Sequence, residues 1–110
     1  MIDVTERDFS INLATRHVSA GTVDFRVTNR GPDAHELIVV RAPERDLPLR
    51  TDGITVSEER LTKATVGTLE PGDPGSVRDL RVELRTGRYV LLCNMSGHFM
   101  GGMHAVVVVE

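Results

Sequence analysis

The chain's one cysteine, Cys93, is followed five residues later by His98, and five further on by Met103. The stretch from Cys93 to His104 holds two of the four histidines and three of the four methionines. Thiolate, imidazole and thioether make a soft to borderline donor set, which suits copper in both oxidation states. Zinc fits less well, because methionine is a poor zinc ligand and two histidines with one cysteine leave a position open. A mononuclear copper site of this type takes two imidazoles, one thiolate and a weak axial thioether. His35 is the natural second imidazole. It opens the run His35-Glu36-Leu37-Ile38-Val39-Val40, just after the turn Gly31-Pro32-Asp33. The expected ligands of one copper ion are therefore His35, Cys93, His98 and Met103, with Met100 as an alternative axial donor in a tighter loop. His17 reads as a surface residue of a hairpin. His104 is one residue out of phase with Met103, so strand alternation points it away. Glu36 and Asn29 could order the surroundings of the ligands, but read first as ordinary strand-edge polar residues.

Strands must position these side chains, because the apolar pattern has period two nearly throughout. Phe9, Ile11 and Leu13 alternate with polar residues, as do Val23, Phe25 and Val27, and Leu80, Val82 and Leu84. Such alternation marks strands buried on one face. Leu37 to Val40 and Ala105 to Val109 are continuously apolar and read as more deeply buried strands. Gly-, Pro- and Asp-rich turns separate the segments, and Gly97, Gly101 and Gly102 free the Cys93–Met103 loop to bend. Only residues 42–63 break the rhythm. Pro43 and Pro48 there, with Thr55 three residues before Glu58 as a capping box, predict an inserted loop with a helical turn. The fold class is all-β, a sandwich of about seven to eight strands in two sheets.

At 110 residues the chain reads as a single domain, 1–110, with a core that needs no disulfide, and one cysteine allows no internal one. A net charge of −3, and twelve arginines to one lysine spread from Arg7 to Arg88, argue against nucleic acid as a partner. No stretch is long and apolar enough for a membrane span, and Met1 to Val4 do not read as a signal peptide.

A histidine at the start of an early strand, then Cys-x4-His-x4-Met between the last two strands, resembles the cupredoxins, the type 1 or blue copper proteins. The likeness is strongest toward small auracyanin- and sulfocyanin-like members with a Cys-Asn-x-x-Gly-His loop. The resemblance implies a Greek-key β-sandwich, with copper on His35, Cys93, His98 and Met103 cycling between Cu(I) and Cu(II) to carry single electrons. It also implies a periplasmic or extracytoplasmic, monomeric protein. Met95, Phe99 and Met100 either cap the core or form an apolar patch near His98 on which redox protein partners would dock. Ser96 stands where family loops often carry proline, and Met95 and Met100 add thioethers that a simple carrier does not need. The alternative function is a copper chaperone or store using the Met/His-rich loop 93–104. An enzyme is not expected, since only His17 and His104 remain for a second copper centre. A domain excised from a larger copper enzyme is the remaining enzymatic context.

Overall fold

Alternating burial along nearly every strand organises the computed structural model, which describes residues 1–42, 58–95, 98 and 102–110. Among the described residues the order is β1 (Ile2–Arg7), β2 (Ser10–Leu13), β3 (His17–Val18), β4 (Gly21–Asn29), β5 (His35–Arg41), α1 (Glu58–Leu61), β6 (Thr65–Gly72), β7 (Val77–Leu84), β8 (Gly87–Leu92) and β9 (His104–Val109). One sheet runs β2-β1-β4-β7 and the other β3-β9-β8-β5-β6. The chain changes sheet on entering and leaving the short β3, between β4 and β5, between β6 and β7, and again between β7 and β8, as a Greek-key sandwich requires. The β-sandwich expectation holds. Among the described residues there are nine strands where seven or eight were expected, one of them the two-residue β3, paired in parallel with the end of β9. No helix among the described residues is long and apolar enough to cross a membrane.

The main core lies between the sheets. Val23, Phe25 and Val27 of β4 meet Leu37 and Val39 of β5 and Tyr89 and Leu91 of β8, all at most 6 % exposed. Each such side chain contributes about 1.5–3 kcal/mol by leaving water. The continuous run Leu37–Val40 has a second cause. Ile38 and Val40 point to the outer face of their sheet, where they join Ala42, Val90 and Leu92 in a smaller cluster covered by Leu61 and Ala64. The expected helical turn is α1, which with Ala64 covers this part of the outer face. Residues 43–57, including Pro43, Pro48 and Thr55 of the expected capping box, lie outside the described residues.

One alternation ends early. β2 begins at Ser10, and Phe9 sits in the turn before it, 49 % exposed. Ile11 keeps its inward position. Phe9 is displaced because the turn between β1 and β2 consumes it, and this frees its ring for another contact.

Candidate metal centre

Strand phase explains how three of the four expected ligands reach one place. His35 is in phase with Leu37 and Val39, Cys93 with Tyr89 and Leu91, and Met103 with Ala105, Val107 and Val109. Residues two apart on a strand share a face, and these partners all belong to the main core. β5, β8 and β9 are neighbours in one sheet, with Ile38 opposite Leu92 and Leu92 opposite His104. His35, Cys93 and Met103 therefore emerge at the same end of the same face, each 0 % exposed.

His98 arrives from the loop. Its N–H donates to the Met95 carbonyl at 2.9 Å, and its own carbonyl accepts from Met103 N–H at 3.0 Å. Nδ1 of His98 then lies 3.2 Å from Nδ1 of His35 and 3.4 Å from Sγ of Cys93. Donor atoms of His35, Cys93 and His98 all lie within 4.8 Å of one another, and all three residues are buried. Gly102, at φ +119°, makes the return to Met103 possible. A Cβ there would meet the Phe9 carbonyl oxygen at 2.9 Å, so both the backbone angle and the close approach require glycine.

Burial sets the protonation of the donors. It pushes the Cys93 thiol up to about 11, against backbone N–H groups at Met95 and Glu36 that favour the thiolate. Burial also holds His35 below its ordinary value, with the Asp8 carboxylate pulling the other way and His98 adding to the depression. At neutral pH the site presents a thiol and a neutral imidazole whose lone pair is available. Loading a metal then expels the thiol proton.

The outward nitrogens of both rings meet carboxylates that sequence reasoning did not select. Nε2 of His35 is 2.8 Å from Oδ1 of Asp8, close but not aligned as a straight hydrogen bond. Nε2 of His98 is 3.4 Å from Oδ2 of Asp33. Burial works against the charge of Asp8, but hydrogen bonding with Asp33 and the nearby imidazoles outweighs it and holds that carboxyl below its ordinary range. Asp33 belonged to a recognised turn; nothing local marked Asp8.

Polar residues read as ordinary turn out to hold the frame. Asn29, 1 % exposed, donates to the carbonyls of Asp33 at 3.0 Å and Gly72 at 2.9 Å and accepts from Gly31 N–H at 2.7 Å, shaping the turn that delivers His35. Glu36 accepts from Asn94 N–H at 2.9 Å, tying β5 to the residue after Cys93. Arg78 donates to the His35 carbonyl at 3.2 Å. His104 is exposed, and His17 has a side chain 71 % exposed beside Glu110, so neither joins the cluster. Met95 packs partly buried against the core. Ser96, Phe99 and Met100 lie outside the described residues, and with them most of the expected apolar patch. Phe9, which was not expected near the site, does reach it. Its ring stands edge-on to His98 at 5.5 Å between centroids.

No family model and no curated protein matches the sequence. Solved structures do match, over nearly all of it. Reduced auracyanin of Roseiflexus castenholzii superposes with a TM-score of 0.70 at 16 % identity, covering 98 % of this chain and 94 % of that one. The chain has the cupredoxin fold. Auracyanin A of Chloroflexus aurantiacus, described as a blue copper protein, gives a TM-score of 0.68 at 15 % identity over 99 % of this chain and 97 % of its own. Rusticyanin of Thiobacillus ferrooxidans gives 0.68 at 14 % identity, over 98 % of this chain and 76 % of its own. In cupredoxin terms, His35 enters from an early strand of one sheet. Cys93, His98 and Met103 come from the connection between the last two strands, β8 and β9.

Proposed function

We propose that the chain is an electron carrier whose His35, Cys93, His98 and Met103 hold one copper ion. The observation that supports it most directly is the buried convergence of two imidazole nitrogens and one thiol within 4.8 Å, on a cupredoxin sandwich. Two nitrogens and one thiolate sulfur are the strong donors of a type 1 site, and a methionine at weak axial distance completes it. Copper bound there would supply a one-electron Cu(I)/Cu(II) couple.

The chain's own part is to hold the donors still. Three ligands stand at strand ends, and the loop bearing His98 is closed onto them by backbone hydrogen bonds at Met95 and Met103. A frame that does not move between charge states keeps the reorganisation cost of electron transfer low. His98, at 6 % exposure against 0 % for His35, is the ligand nearer the surface and is the route by which electrons enter and leave. The burial of Cys93 and both histidines favours retention of the metal, which opposes the chaperone or storage reading. The likeness to the auracyanins and rusticyanin supports a location outside the cytoplasm and redox proteins as partners.

Titration of the purified chain with Cu(II) tests the proposal. One equivalent should produce intense visible absorption from thiolate-to-copper charge transfer, and Cys93→Ser should abolish it. Intense colour surviving in that variant removes Cys93 from the ligand set, and no band in the parent protein overturns the reading.

A further inference from the structure

Two carboxylates face the two imidazoles from outside, and they differ in their exposure to solvent. The Asp8 side chain is only 12 % exposed and lies 2.8 Å from Nε2 of His35, itself 0 % exposed. The Asp33 side chain is 58 % exposed and lies 3.4 Å from Nε2 of His98. Asp8 is also fixed at its backbone, since its N–H donates to the Gly31 carbonyl at 3.1 Å. Its Oδ1 accepts from Asp33 N–H at 3.3 Å. A buried charge at a fixed position acts through little water, whereas an exposed one is screened.

We propose that Asp8 is a positioning and tuning residue of the centre: its carboxylate keeps the Nε2 side of the His35 ring outward and Nδ1 turned toward Cys93 and His98, and its charge favours the more highly charged metal state. A carboxylate at the far nitrogen of a metal-binding histidine sets the ring's tautomer and raises its basicity as a ligand. It attracts the proton to Nε2 and leaves the lone pair on Nδ1, where the other donors converge. The same negative charge stabilises Cu(II) relative to Cu(I) and so lowers the reduction potential. Asp33 is the internal control, because its exposure should leave it little such influence. The tuning half of the inference rests on the copper reading; the positioning half does not.

Two variants separate the parts. Asp8→Asn keeps an oxygen for the Asp33 N–H and for His35 but removes the charge; Asp8→Ala removes both. In the copper-loaded protein, Asp8→Asn should raise the ratio of Cu(I) to Cu(II) affinity about tenfold, a shift of about 59 mV for a one-electron couple. Asp33→Asn should shift it much less, with the charge-transfer band kept in both. In the metal-free protein, nitrogen-15 NMR of His35 should show one tautomer, protonated at Nε2, in the parent and in Asp8→Asn, and a mixture in Asp8→Ala. An unchanged potential in Asp8→Asn, or an equal shift in Asp33→Asn, overturns the tuning role. A single unchanged His35 tautomer in Asp8→Ala, in a chain that keeps its parent's circular dichroism and melting temperature, overturns the positioning role. If the parent shows no thiolate–copper band, the functional reading has failed, and the metal-free NMR comparison still decides the role of Asp8 in orienting the ring.

Discussion

The backbone N–H of Cys93 donates to the carbonyl of Met103 at 3.1 Å, closing the loop between them as one further rung of the β8–β9 ladder. Cys93 and Met103 stand opposite each other in register, and both side chains face the main core at 0 % exposure. This pairing favours Met103 over Met100 as the axial donor. Met103→Leu should leave the charge-transfer band in place and raise the reduction potential, since losing a weak donor disfavours Cu(II). Met100→Leu should not move it. The opposite pattern, measured by redox titration of the two variants, reverses the assignment.

Cys93 should be unusually inert without metal. It is fully buried and its thiol is pushed up to about 11, whereas the thiolate is the reactive form and an ordinary cysteine sits near 8.5. Alkylation of the native metal-free chain at pH 7 should run at least about a hundredfold slower than in the denatured chain. Equal rates in the two would mean that the site stands open before metal enters.

Glu6 should make the fold less stable as pH rises. It is 0 % exposed, neither carboxyl oxygen has a hydrogen-bond partner among the described residues, and burial lifts it from 4.5 to about 8, with Arg78 pulling down and Glu36 adding to the rise. The folded state therefore holds this proton more tightly than the unfolded chain. Stability is highest below about pH 4.5 as far as Glu6 is concerned, falls through the window up to about 8, and is flat above it. The total is on the order of 5 kcal/mol. Glu6→Gln should flatten that part of the stability profile in denaturant titrations at a series of pH values, and an unaltered slope would show that Glu6 does not titrate with folding.

Phe9 should contribute to electron exchange without contributing to the metal site. Its half-exposed ring stands edge-on to His98, the proposed ligand nearest the surface, and an apolar contact lets a partner approach with little desolvation of charge. Phe9→Lys should slow electron self-exchange, followed by NMR line broadening in mixed oxidation states, and leave the copper spectrum nearly intact. An unchanged rate would place the route elsewhere.

Local pattern made most of this architecture legible. Val23, Phe25 and Val27 alternate because one face of β4 is buried, and the period-two rule reads that directly from the chain. The spacing of Cys93, His98 and Met103 was legible for the same reason. A strand end, a glycine-bearing loop and the next strand start are consecutive in sequence, so their donors must stay close. His35 stood out because it opens a buried strand.

Tertiary structure alone decided the rest. The two histidine rings meet across 63 positions, and Asp8 reaches His35 only because β1 pairs in parallel with β4 and the turn after β1 folds over the end of the sandwich. Pairing of this kind depends on which sheet edges meet, and no short stretch of residues encodes that. Phe9 followed the alternation of its neighbours yet left the core, because a turn took the place of a strand residue. Glu6 carries a polar label at an inward position, and only packing on every side makes it a buried acid. The chain by itself specified the donors and the strands that bear them; the charges and the ring edge surrounding those donors come from contacts between segments distant in sequence, which form only when the two sheets close.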